Sequence, residues 1–155
     1  MRLSVNGATR DVDAEPTDVL VDVLRRAGHT EVKEGCSIGV CGACTVIVNG
    51  LPVSSCLYLA GCAEESEILT AKGVTTDDAQ LVEAFADSAA FQCGFCTPGQ
   101  VTMAWWLARS YPDADATLVR ELLAGNLCRC TGYEAIIEGV MSYIVNRRAG
   151  SSTHP

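Results

Sequence analysis

A chain of 155 residues makes one domain or two small ones, and a hydrophobic content of 48% supports well-filled cores. The formal net charge of −8 argues against nucleic acid, whose recognition wants basic patches, and gives no reason to expect attraction to anionic lipid. Nine cysteines in a chain with no recognisable export signal read as metal ligands more readily than as a disulfide scaffold.

Met1 to Gly7 reads as a strand, with neither the apolar core of a signal peptide nor a twin-arginine motif. No run approaches the roughly 18 apolar residues of a membrane span, so a cytoplasmic protein without a transmembrane segment is expected. Residues 2–13 predict a hairpin turning at Asn6-Gly7. Pro16-Thr17-Asp18 predicts a helix start, with Val19, Leu20, Val23 and Leu24 as the apolar face and Ala27-Gly28 as the end.

Cys36, Cys41 and Cys44 then fall within nine residues, interleaved with Gly35, Gly39 and Gly42. Glycine lets a loop wrap tightly and aim backbone N–H groups inward, which suits the anionic sulfides of an iron–sulfur cluster better than it suits a zinc knuckle. Residues 45–48 predict a strand, Asn49-Gly50 a turn and residues 51–53 the return, with Cys56 beyond. Cys-x4-Cys-x2-Cys with a fourth cysteine further on is the plant-type 2Fe–2S pattern, although Cys56 follows Cys44 by only twelve positions, closer than in a free-standing ferredoxin. Residues 57–63 are apolar and suggest a helix in which Cys62 is a small buried hydrophobe. Residues 67–70 predict a last strand, and Lys72-Gly73-Val74 a linker at the domain boundary.

From Thr76 onward the pattern is helical. One helix holds Leu81 to Ala86, a second follows Pro98, a third runs from about 117 to 123, and a fourth from about 132 to 147, leaving 149–155 as a disordered tail. Cys93-Gly94-Phe95-Cys96 runs into the second helix, with Thr97 as the expected N-cap and Pro98 at its first position. Cys128-Arg129-Cys130 precedes Thr131-Gly132-Tyr133-Glu134, which has the form of a capping box. Two thiolate pairs at two helix mouths suit zinc or iron–sulfur. The second helix is apolar nearly all round, including Trp105 and Trp106, which leaves either core packing or cover by a partner surface. His29 and His154, in a helix-end loop and the tail, offer no catalytic base.

The segments EGCSIGVCGACTV (34–46), VSSC (53–56), QCGFCTPG (92–99) and NLCRCTGYEAI (126–136) together resemble the small iron–sulfur subunit of the xanthine oxidase family of molybdenum hydroxylases, over roughly residues 2–147. The resemblance implies an α+β chain: a β-grasp, plant-type ferredoxin-like domain over 1–74, then a four-helix bundle over 75–155. Cys36, Cys41, Cys44 and Cys56 would hold the 2Fe–2S cluster nearer the flavin. Cys93, Cys96, Cys128 and Cys130 would hold the one nearer molybdenum, with Gln92 and Cys130 beside the pterin. Implied partners are a large subunit carrying molybdopterin, in its cytosine dinucleotide form, and a medium FAD subunit, in a heterotrimer or a dimer of heterotrimers. The chain would pass electrons from molybdenum through both clusters to FAD and would not be catalytic alone. The family's Thr-x-Glu-Gly segment reads Thr70-Ala71-Lys72-Gly73 here, with Lys72 where Glu is common. From the residues alone, a free-standing two-cluster ferredoxin and a zinc-binding interaction module are the competing readings.

Overall fold

The computed structural model describes residues 1–76 and 78–151. Its N-terminal half is a five-stranded mixed sheet. Strands β1 (Arg2–Val5) and β2 (Ala8–Asp11) form the expected hairpin, with Asn6 and Gly7 both at left-handed φ (53° and 77°), as a two-residue hairpin turn requires. Strands β3 (Thr45–Val48) and β4 (Leu51–Ser54) repeat the device at Asn49-Gly50. Strand β5 (Glu67–Leu69) joins the two hairpins, parallel to β1 and antiparallel to β3, giving the order β2-β1-β5-β3-β4.

Helix α1 (Leu20–Arg26) buries Leu20, Val21, Val23 and Leu24 in a core with Leu3, Val46, Val48 and Ile68. It starts later than Pro16-Thr17-Asp18 suggested. The Pro16 and Asp18 carbonyls are taken by the amides of Gly61 and Ala60, and Val19 makes an isolated bridge to Leu59, so this segment anchors a loop instead of opening a helix. That loop contains a short 3-10 turn, Ala60–Ala63, which buries Ala60 and Ala63 and leaves Cys62 exposed. The expectation of a buried Cys62 is therefore wrong. In a 3-10 turn, residues 60 and 63 fall on one face and residue 62 falls off it.

The expected linker is also corrected. Residues Ala71–Thr76 form helix α2, with Ala71, Gly73 and Val74 buried. Helices α3 (Ala79–Asp87), α4 (Thr97–Ser110), α5 (Ala116–Leu122) and α6 (Glu134–Ser151) follow, so 149–151 lie in helix and not in a loose tail, while 152–155 fall outside the described residues. α6 packs on α3, α4 and α5, and α4 also packs on α2, β3 and β4. This explains the all-round apolar character of α4. The surface that covers its far side is the chain's own sheet, and Gly99 through Ala104, Leu107 and Ala108 are buried. Trp105 and Trp106 are half-buried at its end, Trp105 under the Arg109 guanidinium at 3.9 Å and Trp106 edge-to-face with Tyr111 at 5.6 Å.

The contact between halves is a close approach of backbones. A Cβ on Gly99, in the first turn of α4, would collide with the Gly42 carbonyl oxygen. A Cβ on Gly42 would collide with the Gly125 carbonyl oxygen. Asn126 fills the remaining space: its amide donates to the Gly42 carbonyl (3.0 Å) and to Thr45 Oγ1 (3.1 Å), while its own carbonyl accepts from buried Gln100 (2.6 Å). The Gly50 turn is a control for this contact, because Gly50 shares the left-handed φ but has open space around it. Gly50→Ala is expected to cost about 1–2 kcal/mol, a fall of a few degrees in Tm. Gly42→Ala should cost clearly more, because the backbone of the other half must move. Equal Tm values for the two variants would show that the halves are not locked at this point.

Candidate metal centres

Eight of the nine cysteines gather in two quartets, and all nine are free thiols. The first quartet sits on the loop between α1 and β3 and on the return past β4. Its loop turns through left-handed φ at Ser37, Gly39 and Gly42. This curls the backbone around Cys36, whose sulfur accepts from the Val40 amide at 3.3 Å. Amide donors from Ile38, Cys41 and Val40 hold the Cys36 thiol down at about 6. Cys56 is the opposite case: burial, reinforced by the neighbouring Cys44 sulfur, pushes it up to about 11 against a donor from Gly39. Within the quartet Cys36 shares a hydrogen bond with Cys41 and Cys56 with Cys44, while the charge of Cys36 also acts on Cys56.

The second quartet has the same form. Cys93 and Cys130 approach to 3.7 Å between sulfurs, and Cys96 shares a hydrogen bond with Cys128. Burial raises Cys96 to about 12, with the Cys128 sulfur adding to it. Burial also acts to raise Cys128, but donors from the Thr131 hydroxyl and amide and from the Cys130 amide bring it down to about 7. Cys130 is raised by its contact with Cys93. Among the described residues no three His, Cys, Asp or Glu side chains are grouped around a point suited to one ion. Thiols paired two and two fit a cluster of two sulfide-bridged irons, in which each iron takes two cysteines.

The helix mouths differ from expectation in detail. Thr97 is the first residue of α4 and not its cap: Cys96 occupies the cap position, and the buried Thr97 hydroxyl finds no partner. The capping box at Thr131 does not form. Thr131 Oγ1 lies 3.1 Å from the Cys128 sulfur and accepts from the Tyr133 amide, while Glu134 turns outward to Arg120 at 3.0 Å. Helix α5 does carry a side-chain cap, Asp115, which accepts from the Leu118 amide. A Ser/Thr-x-x-Glu spacing cannot reveal that a thiol competes for the hydroxyl.

Gln92 and Cys130 are neighbours, with Gln92 Nε2 donating to the Cys130 carbonyl at 3.2 Å, and both are exposed. Around them Phe91, Phe95 and Leu127 are about half exposed. The first quartet has a similar rim of Ile38, Val40 and Leu57. His29 faces Glu31, whose carboxylate also accepts from Thr70, and Lys72 is exposed on α2. Sequence reasoning gave Asn126 no role beyond opening the NLCRC segment, although it bridges the two quartets' loops. It also missed the direct link beside it: the Leu127 amide donates to the Cys41 carbonyl at 2.9 Å, so one hydrogen bond joins a residue of the first quartet to the neighbour of Cys128.

Residues 3–76 match the family described as the 2Fe–2S iron–sulfur cluster binding domain, and residues 70–141 match the family described as the 2Fe–2S binding domain. The nicotinate dehydrogenase small FeS subunit of Eubacterium barkeri is 46% identical, over 96% of each chain. The chain belongs to the small iron–sulfur subunits of the xanthine oxidase family. The xanthine dehydrogenase iron–sulfur-binding subunit of Escherichia coli O157:H7 is 44% identical over 89% of each chain. A chain of quinoline 2-oxidoreductase from Pseudomonas putida 86 superposes with a TM-score of 0.89 at 40% identity, over 97% of both chains. The aldehyde oxidoreductase of Desulfovibrio desulfuricans gives a TM-score of 0.90 at 38% identity, over 96% of this chain but 17% of that longer one.

The thiols of the iron-free protein offer a direct check on the loop electrostatics. Cys36 lies well below the ordinary thiol value, so its thiolate stabilises the fold fully above about pH 9, and that contribution is lost as pH falls through about 6. At pH 7, alkylation is expected at Cys36 well before Cys56 or Cys96, with the Cys36 rate falling away below pH 6. Labelling of Cys96 ahead of Cys36, read by peptide mass, would contradict the donor assignment.

Proposed function

We propose that this chain is the electron-transfer subunit of a molybdenum hydroxylase, carrying electrons from a molybdopterin site to FAD and performing no substrate chemistry itself. The observation that carries this is the junction of the two quartets through the Cys41 carbonyl and the Leu127 amide. Two separate structural metal sites have no need of such a link, whereas electron transfer between centres gains from a short, rigid, bonded connection.

Cys36, Cys41, Cys44 and Cys56 would hold one 2Fe–2S cluster, and Cys93, Cys96, Cys128 and Cys130 the other. Each cluster supplies a one-electron acceptor and donor, so the pair splits a two-electron oxidation into single steps. The chain's own residues provide the thiolates, the amide donors that stabilise charge on sulfur, and the Gly42–Asn126 contact that fixes the separation of the centres. Burial orders the ligands: Cys44, Cys56 and Cys128 face inward, while Cys93 and Cys130 reach the surface. That exposed pair, with Gln92 beside it, suits contact with the pterin of a large subunit. The apolar rims at both quartets suit docking of two partners, the large subunit at Cys93/Cys130 and a medium FAD subunit at the Cys36 loop.

In this reading the sheet half is a β-grasp ferredoxin-like domain ending near residue 74, and α3 to α6 act as a four-helix bundle. The pterin is of the cytosine dinucleotide form, and the assembly is a cytoplasmic heterotrimer or a dimer of heterotrimers. Among the described residues no helix is long and apolar enough to cross a membrane. A free-standing ferredoxin is not favoured, because the relatives are subunits of dehydrogenases.

Electron paramagnetic resonance of the reduced protein, with iron and acid-labile sulfide quantified, is expected to show two distinct 2Fe–2S signals. Cys93→Ser should remove one and leave the other. Both signals intact in that variant would sink the ligand assignment. Gln92→Ala should lower molybdenum content in the assembled enzyme without loss of iron, and unchanged molybdenum would count against a pterin contact.

A further inference from the structure

Four hydrogen bonds tie Cys128, Thr131 and Tyr133 into a closed circuit, two of them at the Cys128 sulfur. The Thr131 hydroxyl lies 3.1 Å from Cys128 Sγ and the Thr131 amide 3.5 Å. The Tyr133 amide donates to Thr131 Oγ1 at 3.2 Å, which occupies an oxygen lone pair and leaves the hydroxyl proton to point at sulfur. The Tyr133 hydroxyl in turn accepts from the Cys128 amide at 3.0 Å. The turn that closes this circuit is costly. Gly132 and Tyr133 are consecutive residues at left-handed φ, 67° and 74°, and a tyrosine adopts that conformation rarely. The alternative for this segment, an ordinary capping box between Thr131 and Glu134, is passed over, and Glu134 is left to a surface ion pair. The backbone holds strain here and the hydroxyl is spent on a thiol.

We propose that the Thr131 hydroxyl, held by Tyr133, is a positioning residue that acts through the Cys128 sulfur to set the reduction potential of the second centre. The inference rests on the reading of Cys128 as a cluster ligand. A hydrogen bond to a ligand sulfur strengthens as that sulfur gains negative charge, so it favours the reduced state and raises the potential. The hydroxyl would keep its proton in either oxidation state of the cluster that Cys93, Cys96, Cys128 and Cys130 would hold, with no bond made or broken at Thr131. The first quartet is supplied differently, by a backbone amide from Val40 to Cys36, which no side-chain replacement removes. The second centre is therefore the one whose potential a single side chain adjusts.

The test is a redox titration of the assembled enzyme, followed by electron paramagnetic resonance, for the native chain, Thr131→Val and Thr131→Ser. Thr131→Val is expected to move the second centre's midpoint to more negative potential and leave the first centre's unchanged, and Thr131→Ser to restore it. Full iron with an unmoved midpoint in Thr131→Val overturns the inference, as does an equal shift of both centres. Should Thr131→Val assemble without its second cluster, proton hyperfine spectra of the native protein and of Thr131→Ser decide. A strongly coupled, solvent-exchangeable hydroxyl proton common to both supports the inference, and its absence from either overturns it. Cys93→Ser separates this from the underlying reading: persistence of the second signal there defeats the ligand assignment, whereas its loss alongside an unmoved Thr131→Val midpoint defeats only the role of Thr131.

Discussion

The Gly42 carbonyl is the point on which the two halves of the molecule depend. It is approached by the Gly99 backbone from one side and by Asn126 Nδ2 from another, and neither Gly42 nor Gly99 accepts a Cβ without displacing backbone. The carbonyl is buried and also accepts from the Thr45 hydroxyl (2.7 Å) and amide (3.2 Å), so Asn126 completes a local set of donors with one from the other half of the chain. The same contact places Cys41 and Leu127 within hydrogen-bond reach. Packing of α4 on β3 and β4 supplies the apolar area that holds the halves together, but it would allow sliding. The polar contact at Gly42 fixes the register.

Each quartet concentrates four potential negative charges within a few residues' reach, in a protein already carrying a net −8. The fold answers with donors rather than with cations. Lysine and arginine are absent from the ligand loops apart from Arg129, and the compensation comes from amides at Ile38, Val40 and Cys41 and from Thr131. The result is a spread of thiol acidities, from about 6 at Cys36 to about 12 at Cys96. Sulfurs that receive donors are prepared to be thiolates, while buried ones need the positive charge of iron to lose their protons.

How much of this could be read from the sequence follows from range. The quartets are encoded by spacing within short segments, and the hairpins by Asn6-Gly7 and Asn49-Gly50, each a local signal obeyed locally. The α+β class was what the family resemblance implied, and the mixed sheet followed by helices bears it out. The contact of Asn126 with Gly42 spans 84 positions, and nothing local to Asn126, although it opens the NLCRC segment, points to that distant carbonyl. The apolar girth of α4 was legible, but what covers it was not, because a partner surface and the chain's own β3 impose the same composition. Cys62 and Thr131 failed for a different reason. Each was assigned by the habits of its residue type, burial for cysteine and capping for threonine, and in each the geometry of a short turn decided otherwise.

The two centres are asymmetric in a way that suits a one-directional relay. The first is wrapped by its own loop, with Cys44 and Cys56 buried and donors drawn from backbone. The second presents Cys93 and Cys130 at the surface and draws a donor from a side chain. Exposed sulfurs in an apolar rim are only half of an environment. In the proposed assembly, covering Phe91, Phe95 and Leu127 would remove water from that rim and lower the local dielectric, so the hydrogen bond aimed at Cys128 would gain strength. Removal of water alone would disfavour the more negative, reduced state, and the fixed donor at Thr131 opposes that penalty. If the proposed large subunit docks there, a donor built into this chain would be in place before the partner arrives.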